Sequence, residues 1–330
     1  MLGSIQFFRF WAIVMIALFH AFRGIGIADN GFLFVELFFI VSGYFIMESQ
    51  KKSNSTIMNF VWKRFLRLYP VFLVSNILYF IIGYYYGRDF SSVQIRDTIL
   101  FLSYSPFSTN IPLISWFCSA LFWSSVVLII ILHVFQKIRH QFVVTLLLSI
   151  LLYAYILYTT STLGGISHVY WGFLLKGFLR GIAGVCLGAA LSCFKTLSEK
   201  YTFSYLQFFE IIAIAAFVYM HFGGHSVLTQ ILYICVSIAL TFLCYQNKTY
   251  LIRKLNNGVS IFLGKITFSI YLSHTLYISI IRYNAPSYFD QKIHLLTYLP
   301  AIFVIGMVFF ACIESPITRY LGKRFENIIK

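Results

Sequence analysis

Charge is what this chain has least of. Only 11% of its 330 residues are Asp, Glu, Lys or Arg, and 60% are hydrophobic. Soluble domains run nearer ~25% and ~45–50%. One water-soluble core cannot hide that much apolar surface, so a soluble globular enzyme is excluded. Other absences narrow the chemistry. There is no Gly-rich phosphate loop, no internal repeat and no low-complexity tract. The six cysteines, Cys118, Cys186, Cys193, Cys235, Cys244 and Cys312, all fall in apolar runs without metal-ligand spacing, and read as small buried hydrophobes. No metal is expected. The first apolar run lacks a basic leader and an A-x-A cleavage site, which reads as a retained span, not a signal peptide.

What is present is a succession of apolar runs long enough to cross a bilayer. They predict an all-α polytopic bundle of about ten spans, near 5–24, 29–47, 65–87, 115–136, 142–160, 168–194, 204–222, 226–245, 259–282 and 294–313. Helices and short loops then occupy residues 1–330 as a single membrane domain. Of the 25 Lys and Arg, 17 fall on the N-terminal side, 5 on the other and 3 within spans. The bias predicts cytoplasmic termini. It also accounts for the net charge of +15 through contact with anionic lipid rather than nucleic acid.

Against that background the intramembrane ionisable residues stand out, because each costs at least about 2.5–3.5 kcal/mol at the bilayer centre. Arg9 and His20 share the first span, and Glu36 sits early in the second. Eleven residues of helix separate Arg9 from His20 by about 16 Å. That puts Arg9 near the inner face and His20 in the outer half. Glu36 and His274 reach a similar depth from the second and ninth spans. A second layer, inner and basic, holds Lys63, Arg64 and Arg67, with Arg9 and Lys265 at shallow depths. Arg64 and Arg67 share a helix face and suit a phosphate-bearing ligand. Bland readings stand beside these: interfacial anchors for Arg64 and Arg67, an arginine partner for Glu36, carbonyl partners for His20 and His274. Lys176 and Arg180, one turn apart in the sixth span, either snorkel or pair with Glu36 or ligand. His168 starts that span, and His221 and His225 flank an outer turn.

In order along the chain these residues resemble the acyltransferase-3 family of integral membrane O-acyltransferases. The resemblance rests on Arg9 and His20 at ten residues' separation, on Phe34-Val35-Glu36-Leu37-Phe38-Phe39-Ile40-Val41-Ser42-Gly43-Tyr44, and on Arg64-Phe65-Leu66-Arg67-Leu68-Tyr69-Pro70. It continues through Phe178-Leu179-Arg180-Gly181 with Gly188, Ser269-Ile270-Tyr271-Leu272-Ser273-His274 and Glu314-Ser315-Pro316. Two departures matter. Ser115-Trp116-Phe117-Cys118 lacks the glutamate that many members carry nearby and looks closer to the sugar-modifying branch. Only Ser315 to Lys330 follow the last span, so no appended extracytoplasmic domain is expected.

The resemblance implies transfer of an acyl group, most often acetyl from acetyl-CoA, to a hydroxyl of a cell-surface polysaccharide, lipopolysaccharide or other lipid-linked glycan at a bacterial cytoplasmic (inner) membrane. Acyl-CoA, the glycan acceptor and membrane lipid are the implied partners. Arg64, Arg67 and Arg9 would hold the coenzyme phosphates. A hydroxyl needs a base within reach, and histidine suits that task. His20 is the expected general base, with an acyl-histidine the alternative, and Glu36 the expected orienting acid. Arg9, Ser42 and His274 are candidate oxyanion donors, and Arg180 and Trp116 candidate substrate contacts. A transporter or flippase of lipid-linked glycan is the rival reading, weakened by the missing internal repeat.

Overall fold

A computed structural model describes residues 2–53, 56–105, 107–108, 116–197, 205–220, 224 and 226–321. Ser115, Lys200, His221, His225, Lys323, Arg324 and Lys330 lie outside the described residues. The helices are α1 (Gly3–Ala21), α2 (Val35–Lys52), α3 (Ile57–Tyr85), α4 (Ser92–Ile99), α5 (Trp116–Val134), α6 (Ile138–Thr160), α7 (Lys176–Leu197), α8 (Leu206–Tyr219), α9 (Val227–Gln246), α10 (Tyr250–Leu255), α11 (Gly258–Asn284) and α12 (Leu295–Phe309). Among the described residues, nine helical segments are long and apolar enough to span a bilayer, and α8 is a shorter apolar helix. The chain is therefore an all-α polytopic bundle. Starts follow local chemistry. The side chains of Thr56, Ser91, Ser226 and Asn257 each accept the backbone N–H three residues on, at the N-termini of α3, α4, α9 and α11, satisfying donors the first turn leaves open.

α7 is the central element, with 94% of its apolar window buried. It lies backbone to backbone against α2. A Cβ on Gly43 would overlap the carbonyl of Val185, and one on Gly188 would overlap the carbonyl of Ile40. Small residues at such crossings let two spans approach closely. At the inner end of this pair the Lys51 ammonium donates to Glu48 (2.8 Å), Ser192 Oγ (2.8 Å) and Thr196 Oγ1 (2.7 Å). At its outer end a buried ion pair described below does the same work.

α1 and α11 form the second close pair. Gly3 N–H donates to Asn256 Oδ1 (2.6 Å), and Gly264 lies against the Gln6 side chain. At the far end Arg282 donates to the His20 carbonyl (2.9 Å), closing the C-terminus of α1. Tyr298 of α12 donates to the Ala17 carbonyl (3.1 Å), and Ser75 of α3 to that of Leu272 (2.9 Å). These ties fix the last turns of α1 against the end of α11 and against α12, and α3 against the middle of α11.

Two regions depart from the apolar-run reading. The sixth span starts at Lys176, not 168. Residues 169–175 form a two-stranded hairpin, β1 (Val169–Tyr170) and β2 (Leu174–Leu175). Its turn residues Trp171 and Gly172 both take positive φ (50° and 76°), a tight-turn geometry no helix contains. His168 accordingly precedes the hairpin instead of opening a span. The stretch after α3 turns back into the bundle. Tyr69, twelve residues into α3, donates to the Ile99 carbonyl at the end of α4 (2.7 Å), and Trp123 Nε1–H to that of Phe101 (2.8 Å). Buried Phe101 packs on Phe72 at 4.6 Å between ring centroids. Irregular backbone is tolerated at that depth because protein surrounds it.

Candidate active site

A cavity of about 460 Å³ runs between α1, α2, α3, α5, α11 and the last helical turns of the chain. Its polar wall carries Arg9, Ser42, Lys63, Arg64, Arg67 and Glu314. Lys63 and Arg67 are solvent-exposed at the mouth, and Arg64 and Arg9 sit further in. α3 delivers three of these cations because Arg67 lies one turn beyond both Lys63 and Arg64. Arg64 Nε and Nη2 are buried and make no hydrogen bond among the described residues. A buried guanidinium with open donors is costly, and an anion in the cavity would satisfy it. Arg9 donates to Gln6 Oε1 (2.8 Å), and its guanidinium lies 5.7 Å from the centroid of the Phe38 ring. Lys265 is exposed and outside the lining.

Among the described residues, Glu314 is the one acidic residue of the cavity lining. It accepts from Ser269 Oγ, and Arg9 and Arg67 stand close enough to act on its charge. It closes a π-helical segment, Phe310–Glu314. Such irregular turns recur at functional sites, and Pro316, with no N–H to give the preceding turn, lies just beyond. The sequence reading attached no role to Glu314. Its signal was a lone carboxylate ending an apolar run just before a proline.

Further from the mouth the lining becomes apolar, with Ile16 of α1, Val35 and Phe38 of α2, Phe117, Cys118 and Leu121 of α5 and Tyr271 of α11. His20 lies four residues beyond Ile16 and His274 three beyond Tyr271, so each histidine stands about 4.5–6 Å, roughly one turn, past the cavity's end. The two imidazoles meet there, 5.6 Å between centroids and 35° between planes. His20 occupies the last turn of α1, because that helix ends at Ala21, and it is exposed. His274 is buried, at 1% exposure. Its Nδ1 lies 2.6 Å from the Tyr271 carbonyl and 3.2 Å from that of Ile270. A carbonyl only accepts, so Nδ1 carries the proton. Nε2 is then a lone pair, and it is buried without a partner among the described residues.

Several expected roles take different geometry. Glu36 does not face His20. Its buried carboxylate accepts from Arg180 Nε and from the Tyr153 hydroxyl. Depth brought Glu36 to the right layer, but the turn of α2 points it at α6 and α7. Arg180 is consumed in the same way, with Nη1 donating to the Leu163 carbonyl (3.1 Å) and Nη2 to that of Phe32 (2.7 Å). Trp116 packs under that guanidinium, 5.9 Å from it, and beside Tyr104. Both were expected to touch substrate, and neither lines the cavity. Arg9 and Ser42 line the cavity at inner depths, so neither reaches an oxyanion formed at the histidines. His274 as a neutral ring with its proton on Nδ1 offers Nε2 as an acceptor, not the oxyanion donor expected of it.

A polytopic bundle with a basic cavity opening on one face and paired imidazoles toward the other defines a membrane protein with its ionisable groups gathered in two layers. The acyltransferase-3 family model, described as an acyltransferase domain, matches residues 2–314 of the 330. The chain belongs to that family and is a membrane acyltransferase. Neither a curated protein nor a solved structure matches it.

Proposed function

We propose that the protein moves an acetyl group from acetyl-CoA to a hydroxyl of a cell-surface polysaccharide or lipid-linked glycan, at a bacterial cytoplasmic membrane. One observation carries this reading: the basic cavity runs toward, and ends one turn short of, an exposed histidine. Lys63 and Arg67 would receive the coenzyme phosphates at the mouth, and the open donors of Arg64 suit a further phosphate oxygen. The pantetheine arm would lie along the apolar wall.

The acceptor arrives from the exposed side of His20. As its oxygen attacks the thioester carbonyl, the imidazole takes the hydroxyl proton. The C–O bond forms, the C–S bond breaks, and the thiolate recovers the proton to leave as free CoA. Glu36 is occupied by Arg180, so a proton on His20 is answered by His274 Nε2, whose lone pair is the open acceptor nearby. His274 is thus a positioning residue for His20.

The test is acetyl transfer in isolated membranes. His20→Ala is expected to lower glycan acetylation by about 10²-fold or more, the usual contribution of a general base, while Arg67→Ala raises the KM for acetyl-CoA and leaves a measurable kcat. A well-folded His20→Ala protein acetylating at the wild-type rate sinks the reading.

A further inference from the structure

Neither histidine of the pair lines the cavity. Two aromatic rings stand where the cavity approaches them. Phe117, from the first turn of α5, and Tyr271, from the middle of α11, both line the end of the cavity away from its mouth. They meet edge to face, 5.6 Å between centroids and 71° between planes. Both are buried, at 8% exposure each. Tyr271 touches the other compartment as well, with its ring 5.9 Å from the centroid of His274. One ring therefore has the donor cavity on one side and the histidine pair on the other.

The surroundings make this closure stiff. Phe117 is braced by Phe39 at 4.8 Å and Phe38 at 5.8 Å. The backbone of Tyr271 is held by its carbonyl, which accepts from His274 Nδ1, and by the next carbonyl, which accepts from Ser75. Such edge-to-face pairs contribute beyond their buried area, and close-packed interiors have low compressibility. On the α11 side, the route from the cavity to the histidines runs past this pair, and a small parting of the rings admits only a small group.

We propose that Phe117 and Tyr271 form an aromatic filter that sets the acyl chain length of the donor, passing a two-carbon acyl group and rejecting longer ones. The inference rests on the acyl-transfer reading above. Phe117 is the specificity-determining residue, and Tyr271 is the wall it closes against. Ring volume is the property the filter works by, and Tyr271→Phe tests the hydroxyl separately.

The experiment follows CoA release and glycan acylation in membranes carrying the full chain, with acetyl-, butyryl- and octanoyl-CoA as donors. The readout is the butyryl-to-acetyl rate ratio within one preparation, which cancels differences in folded protein. A pocket resolves one methylene by about 10–200-fold, so Phe117→Ala is expected to raise the ratio by at least about tenfold. Phe117→Leu, a milder change less prone to misfolding, is expected to raise it by a smaller factor, and Tyr271→Phe to keep the wild-type order of donors. A ratio unchanged in both Phe117 variants, alongside wild-type acetyl transfer, overturns the filter alone. Wild-type protein that takes octanoyl- as fast as acetyl-CoA also overturns it. Wild-type membranes that transfer no acetyl overturn the acyl-transfer reading and the filter together.

Discussion

Glu36 and Arg180 are a fully buried carboxylate and guanidinium whose partners leave little unmet: Tyr153, two backbone carbonyls and each other. Removing one member of such a pair leaves an uncompensated buried charge, a loss of about 3–5 kcal/mol, whereas replacing both with apolar groups is far milder. Glu36→Gln is therefore expected to lower the thermal midpoint of the detergent-purified protein sharply. Glu36→Leu combined with Arg180→Leu is expected to recover most of the loss. A single variant that melts with wild type would show that the pair carries no stability. The same pair marks where sequence reading stops. Helix rise gives depth, so the layer holding Glu36 was legible from its position. Direction about the helix axis depends on how α2 is rotated against α6 and α7, and one span's residues do not encode that. Glu36 thus read as a partner of His20 when its partner was Arg180, one of the bland alternatives.

At the scale of elements, the α2–α7 crossing decides where the site's walls stand. Because the backbone of α2 at Ile40 occupies the space a side chain at Gly188 would need, Gly188→Ala forces two central helices apart. Overpacking of this kind costs about 1–3 kcal/mol. Gly258, where an added Cβ meets nothing within 4 Å, is the control, and Gly258→Ala is expected within about 0.5 kcal/mol of wild type. Melting curves of the two variants check the contrast, and equal destabilisation would rule out close approach as the reason for Gly188. Span positions were legible because apolar runs and caps are local signals. The re-entrant α4 segment and the hairpin at 169–175 were not. α4 is eight residues, too short to announce itself by hydropathy, and the segment is tied to the bundle at Ile99 and Phe101, by Tyr69, Phe72 and Trp123 on neighbouring spans. The hairpin sits within an apolar stretch, where hydrophobicity alone does not distinguish strand from helix.

At the scale of the whole molecule, function requires two faces with different chemistry. The exposed cations of the cavity mouth, Lys63 and Arg67, belong to the Lys- and Arg-rich side of the bundle, and His20 with Arg282 stands at the opposite end of α1. A basic mouth favours a soluble anion supplied on the cytoplasmic side, so sidedness should be measurable. Sealed inside-out vesicles, with the basic side facing the medium, are expected to consume external acetyl-CoA. Right-side-out vesicles of the same membranes are expected to consume it only after permeabilisation. Raising ionic strength should raise the KM for the donor, because mouth charges are screened within about a Debye length, ~8 Å at physiological salt. It should leave the turnover of bound donor nearly unchanged, because the histidine pair lies about a turn beyond the cavity's buried end. Equal rates in both vesicle orientations, with or without permeabilisation, would place donor entry elsewhere and break the link between the basic cavity and the acyl group.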